Sequence, residues 1–293
     1  MKKTFFFALT ALASLGAFAG GHYGPGVEGI KAASMPPPGM YYVGYLVNYS
    51  IDELRAPGSS NAVPLSNTGT VSALVNRFVY ITNTKVLGAD YGVQVTVPVV
   101  RKSLNFNASG ISESSSGVGD IYLAPLVLGW HGGNWDAVAA AGLYFDNGNS
   151  DSPSKPGNGY KSAMLTGGGT YYFDAAKSWT GSALLRYEKN SSQSNGFKPG
   201  NQLTMEWGFG KSLGPVQVGV VGYDQWQTSD DSGRGATGNQ YKRHAIGAEV
   251  VYPLMKEAGV VLKTAYYREY SAEGGSKPQT KGSTLRFTFA KAF

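Results

Sequence analysis

The chain has 293 residues and no cysteine. That excludes a disulfide, a thiol nucleophile, a thiolate metal site and a lipid-modified cysteine. Charge is also scarce, at 15% of residues, where an average soluble domain carries roughly 25%. Histidine is limited to His22, His131 and His244. Beyond residue 19 no stretch is long and apolar enough for a spanning helix, which needs about 18 uncharged apolar residues in a row. The basic residues are not clustered, and a net charge of +6 is mild for so long a chain, so nothing points to nucleic acid.

What is present suits strands. There are 41 Gly and 19 Tyr, and aromatics make up 13%; this composition favours twisted strands and turns over helices. Residues 1–19 read as an export signal: Lys2 and Lys3, then apolar residues from Thr4 to Leu15, then the small-x-small run Ala17-Phe18-Ala19. Its removal takes two lysines off the formal charge. Export without a spanning helix leaves the periplasm, the exterior, or a barrel in the outer membrane. Residues 20–38 are punctuated by Gly and Pro too often for a strand. Pro25, Glu28 and the stiff run Pro36, Pro37 and Pro38 belong either to a frayed leader or to a plug in a barrel mouth.

The stretch at 283–293 shows the period of two. Leu285, Phe287, Phe289 and Phe293 share one face, and Thr284, Arg286, Thr288, Ala290 and Ala292 share the other. Similar segments recur along the chain, at 40–51, 69–82, 86–101, 118–130, 135–146, 160–173, 178–189, 201–211, 216–227, 241–252 and 258–270. Tyr41, Val43, Tyr45, Val47 and Tyr49 share a face of the first. The faces of the second are hard to tell apart. In the ninth, Asp224 shares parity with Val216, Val218 and Val220, so it lies at the outer rim or follows a bulge. The connections alternate between long polar loops and short turns, as in outer-membrane barrels. The expected fold is therefore all-β: a transmembrane antiparallel up-and-down barrel of about twelve strands over residues 39–293, with a short N-terminal plug segment. An exported soluble all-β protein is the competing class. Tyr41, Trp135, Phe145, Trp179, Tyr187, Tyr252 and Tyr266 fall near strand ends, where rings anchor at membrane interfaces.

The polar phase of each strand would line the lumen. Arg186 and Glu206 fall nearly opposite one another, as do Glu249 and Lys263, which predicts two lumen ion pairs. Tyr42, Asp120, Tyr122, Tyr144, Gln217, Gln225 and Arg286 are further lumen candidates. No catalytic set emerges. In outer-membrane phospholipase A a rim His works with a Ser, but Ile246 occupies the place a serine beside His244 would need. No metal-ligand spacing with His or Cys occurs, and Asp230-Asp231 reads as a solvated acidic loop. No cofactor is implied.

Several runs carry a family resemblance. They are Tyr23-Gly24-Pro25-Gly26-Val27-Glu28-Gly29-Ile30, Pro36-Pro37-Pro38-Gly39 with Tyr41, Gly117-Val118-Gly119-Asp120 with Pro125, and Gly222-Tyr223-Asp224-Gln225 with Asp230-Asp231-Ser232-Gly233. Together they resemble the MetA-pathway of phenol degradation family, exported proteins of Gram-negative bacteria. The resemblance implies an outer-membrane barrel associated with catabolism of phenols, aromatics and other apolar carbon sources. It also implies a lumen plugged by the N-terminal segment. Members often carry a Pro-Thr-Gly run on the strand matching the fifth; Gly142-Leu143-Tyr144-Phe145-Asp146 stands there instead, so any role of that run is not carried over.

The expected function is a non-enzymatic channel for passive uptake of small hydrophobic or aromatic solutes. The expected partners are outer-membrane lipid and lipopolysaccharide, such a solute, and the barrel-assembly machinery, for which terminal Phe293 resembles the recognition signal. A structural or adhesive barrel, binding a partner through its long outer loops, is the alternative; a barrel hydrolase is a third class.

Overall fold

The computed structural model describes residues 21–255 and 258–293. The expected signal peptide lies outside the described residues. The strands are β1 (Gly39–Arg55), β2 (Asn67–Val86), β3 (Ala89–Phe106), β4 (Ile111–Val118), β5 (Tyr122–His131), β6 (Trp135–Tyr144), β7 (Ser162–Tyr172), β8 (Trp179–Asn190), β9 (Phe197–Lys198), β10 (Gln202–Leu213), β11 (Val216–Gln227), β12 (Ser232–Gly233), β13 (Lys242–Met255), β14 (Val260–Glu273) and β15 (Gln279–Ala292). All but β4, β9 and β12 form one antiparallel ring of twelve, closed where β1 pairs with both β2 and β15. At the seam Tyr41 lies opposite Ala292 and Tyr49 opposite Thr284. Closure leaves no strand edge unpaired in lipid, where an unsatisfied backbone group is costly.

β3 and β4 differ from the expected long loop over 103–117. β3 continues to Phe106, and β4 folds back along it from Phe106↔Ile111 to Val99↔Val118. The Ser- and Asn-rich composition reads as loop. The backbone of a projecting strand still needs partners, and β4 supplies them. β9 and β12 form a small ribbon that ties two long loops together.

The wall is greasy outside and polar inside. On β15, Leu285, Phe287 and Phe289 are 40–49% exposed, whereas Thr284, Arg286 and Thr288 are at most 5% exposed. Trp135, Phe145, Trp179, Tyr187, Tyr252 and Tyr266 also face outward. At the short-turn end Phe173 and Trp179 both pack on Phe209, with ring centroids 5.7 and 5.4 Å away. Tyr41 departs from the expected belt: it packs against the interior cluster of Met35, Val79 and Ile81 and donates its hydroxyl to the Pro37 carbonyl at 2.7 Å.

β11 pairs with β10 without a register break, so no bulge flips Asp224. Asp224 lies near the long-loop end on the outer face. Its carboxylate accepts from Trp207 Nε1 at 2.9 Å and lies 2.7 Å from His244 Nδ1. These partners offset the cost of placing a carboxylate on that wall.

Candidate functional site

Residues 21–38 enter the ring at the long-loop end and descend to β1. His22 starts the descent. Its ring lies 1% exposed, with Nδ1 2.8 Å from Glu188 Oε1 and Nε2 3.3 Å from Asp120 Oδ2. It stacks on Tyr144 at 4.7 Å and meets Tyr160 edge-on at 4.6 Å. Burial opposes its charge, but hydrogen bonds to Asp120 and Glu188 outweigh burial and raise its pKa to about 9.

Halfway down, the Tyr23 hydroxyl donates to Glu206. The Glu28 carboxylate then bridges Arg77 of β2, at 3.2 Å, and Arg186 of β8, at 2.6 Å. These strands stand well apart on the ring, so one carboxylate of the N-terminal segment links distant walls. Burial disfavours the Glu28 charge, yet the two guanidiniums overcome it and lower its pKa to about 2. Below, the Ile30 amide donates to Glu249 at 2.6 Å and Ser182 Oγ donates to the Ile30 carbonyl at 2.6 Å. Close approach requires small residues here. A Cβ at Gly29, which has φ +78°, would run into the Glu249 carboxylate, and one at Gly208 would lie 2.6 Å from Ile30 Cα. Ile30 and Ala33 are fully buried.

Against β1–β3 the segment leaves room. A cavity of about 310 Å³ opens between residues 21–28 and an inner wall that includes Val47, Val71, Val75, Pro98 and Val100. Its remaining lining includes Tyr122, Tyr144 and Met164, with Arg77, Lys102, Arg186 and Arg243 as its guanidinium and ammonium groups.

Most lumen candidates do face inward. Asp120, Tyr122, Tyr144 and Arg186 line the cavity, as do Pro25 and Glu28 of the N-terminal segment. The Asp120 carboxylate also accepts from the amides of Gly148 and Asn158, at 2.8 and 2.7 Å. Gln217 and Gln225 lie inside the wall, donating to Thr180 at 3.3 Å and Thr204 at 2.9 Å. Arg186 lies 3.7 Å from Glu206, but Glu28 is its tighter partner.

Three expectations need correction. Tyr42 faces outward, with its ring 5.3 Å from Phe78 and 6.5 Å from Phe289. Alternation assigned two faces to the first strand, but the aromatic face with Tyr45 and Tyr49 is the inner one. Glu249 meets Arg286 rather than Lys263. Glu249 and Arg286 both lie level with Ala265 of β14, and that small side chain lets Arg286 reach across the strand. Pro36, Pro37 and Pro38 are exposed beyond the short-turn end and do not enter the lumen. Lys263 shares the inward phase of Ala265 and Tyr267, opposite Val251.

Sequence reasoning missed His22, Glu188, Arg77 and Lys102. Arg77 is the sole charge in 69–82, a signal lost because that strand's phase was unresolved. His22 had no sequence signal, since its partners come from distant loops and strands.

Among solved structures, an outer membrane channel from Pseudomonas putida F1 matches with a TM-score of 0.77 at 16% identity, covering 92% of this chain and 100% of that one. The β domain of the Bordetella autotransporter BrkA matches with a TM-score of 0.50 at 14% identity, covering 87% and 100% respectively. At these identities the likeness is one of fold. No curated protein matches the sequence. With its closed ring and greasy belt the molecule is an outer-membrane barrel, and because the family model for the MetA-pathway of phenol degradation matches residues 51–287, the chain belongs to that family.

Proposed function

We propose that this protein is a plugged channel for passive uptake of small hydrophobic or aromatic compounds destined for catabolism. The observation that carries this reading is the cavity of about 310 Å³ beside the N-terminal segment, bounded by the Val47–Val75–Val100 wall. Ligand pockets begin at roughly this size and are mostly apolar with a few placed polar groups. A benzene-sized guest needs only about half that volume. Residues 21–35 act as the plug, holding the lumen closed to water and salts. Family membership and the name of the Pseudomonas relative agree with a channel.

The test is uptake of labelled toluene at low concentration by cells lacking the gene, with and without restored expression. Restored cells should take it up several-fold faster. Equal rates would overturn the reading. Contacts to lipopolysaccharide through the long-loop rim, and engagement of the barrel-assembly machinery through Phe293, belong to the same proposal. Deleting Phe293 should reduce the amount of inserted barrel far more than the flux per inserted molecule.

A further inference from the structure

On the outer face of β1–β4, toward the long loops, side chains fall into two rows. Antiparallel pairing sets Asn48, Ser72, Arg101 and Ser116 side by side on four successive strands. Two residues further toward the short turns, the same strands carry Leu46, Leu74, Val99 and Val118, each 41–58% exposed. The step from one row to the next marks where lipid chains end and headgroups begin. Long loops of such barrels face the exterior, so this boundary belongs to the outer leaflet.

A groove of about 340 Å³ crosses both rows. Leu46, Leu74, Val99, Leu285 and Phe287 line its apolar part, and Asn48, Ser72, Arg101 and Ser116 its polar edge. Asn48 Nδ2 donates to Ser72 Oγ at 3.0 Å, so both short side chains lie along the wall. Among the described residues lining the groove, Arg101 alone is charged. It is exposed, and its guanidinium has no carboxylate partner among the described residues. Glu113, the acid on β4, is in register with Leu104 and so lies on the opposite face. Other exposed cations near this end are engaged: Arg268 pairs with Asp52, and Lys242 lies 2.8 Å from Glu273.

Deepening the lipopolysaccharide contact proposed above, and independent of the channel reading, we propose that this groove binds one lipopolysaccharide molecule by its lipid A end. Arg101 takes a lipid A phosphate in the two-bond geometry that a guanidinium offers. Ser72, Ser116 and Asn48 give hydrogen bonds to that phosphate or its sugar, along a row about 14 Å wide. An acyl chain lies over Leu74, Val99 and Phe287, where burial of apolar surface favours it. The outer-leaflet level of the row, and polar groups spread widely enough for a sugar, favour lipopolysaccharide over a phospholipid.

Native mass spectrometry of the folded barrel in non-ionic detergent tests this, with lipid A and phosphatidylglycerol as probes. The unaltered protein should hold one lipid A per barrel at limiting lipid. Arg101→Gln, checked for folding by its gel shift on boiling, should weaken that binding roughly ten-fold, the effect of one charge-assisted hydrogen bond. Ser116→Leu, which removes a hydroxyl of the same row, serves if that variant does not fold. Lys189→Gln, which removes an exposed cation near the long-loop end of β8, should leave binding unchanged. Equal losses from Arg101→Gln and Lys189→Gln, or phosphatidylglycerol binding as tightly as lipid A, would overturn the inference. Lipid A that binds but ignores Arg101 overturns this site and keeps the rim contact; lipid A that does not bind at all sinks both. Toluene uptake tests the channel reading separately, because Arg101 faces away from the lumen.

Discussion

The two inner walls of this barrel are built differently. On the β10–β13 side the wall is bare at the level of Ile30: Gly208 lets its backbone rest against the strands, Gly210 and Gly219 make room for its side chain, and Glu249 receives its amide. On the β1–β3 side, β-branched Val47, Val71, Val75 and Val100 stand away from the N-terminal segment and leave a cavity. The N-terminal segment is not centred in the ring. Its backbone bonds to Ser182, Glu206 and Glu249 on one side, Glu28 alone reaches across to Arg77 of β2, and the unfilled volume gathers beside β1–β3. The difference separates a face that holds the N-terminal segment from a face that leaves open volume.

Removing residues 21–38 should erase the contrast altogether. The lumen would become a continuous path, and single-channel conductance in planar bilayers should rise several-fold; unchanged conductance would mean that the segment does not occlude the barrel. Glu28→Ala is next in size. It strands Arg77 and Arg186, and losing one member of a buried pair costs about 3–5 kcal/mol. The lower end is expected because Gln94 and Glu206 still contact those arginines. The gel temperature at which the folded band disappears should fall accordingly.

Gly208→Val tests the bare wall directly. Overpacking against the Ile30 backbone should cost about 1–3 kcal/mol. Val75→Ala on the cavity wall should cost only about 1 kcal/mol and should alter solute flux more than melting. Similar losses for both variants would dissolve the distinction between the walls.

The smallest expected effect is a pH dependence at the top of the plug. The pKa of His22 is raised from 6.5 to about 9 in the folded protein. Its charge therefore stabilises the fold fully below about pH 6.5, and that contribution fades as pH rises through about 9. Thermal melting should drop across this window, and His22→Gln should flatten that part of the profile. An identical profile in the variant would show that the plug is anchored elsewhere.

Much of the architecture was legible in the residues. The alternation Leu285, Phe287, Phe289 against Thr284, Arg286, Thr288 identifies a two-faced strand, and regular long and short connections identify a barrel. Alternation says that two faces differ, not which one is inside. That is why Tyr42, polar-tipped on a strand rich in Tyr and Val, reads as a lumen residue although it packs on Phe78 outside. The extension of β3 beside β4 was illegible for another reason: Ser and Asn describe a loop unless a neighbouring strand supplies hydrogen-bond partners.

The residues alone dictate an all-β wall with one apolar and one polar face, because side-chain period and turn chemistry are local properties of the chain. Only the tertiary structure decided where positive charge, glycine and aromatic rings meet inside that wall. His22 with Asp120 and Glu188, Glu28 with Arg77 and Arg186, and Glu249 with Arg286 each join residues far apart in the chain. Their proximity depends on ring closure and on the path of a segment whose own sequence carries no periodic signal.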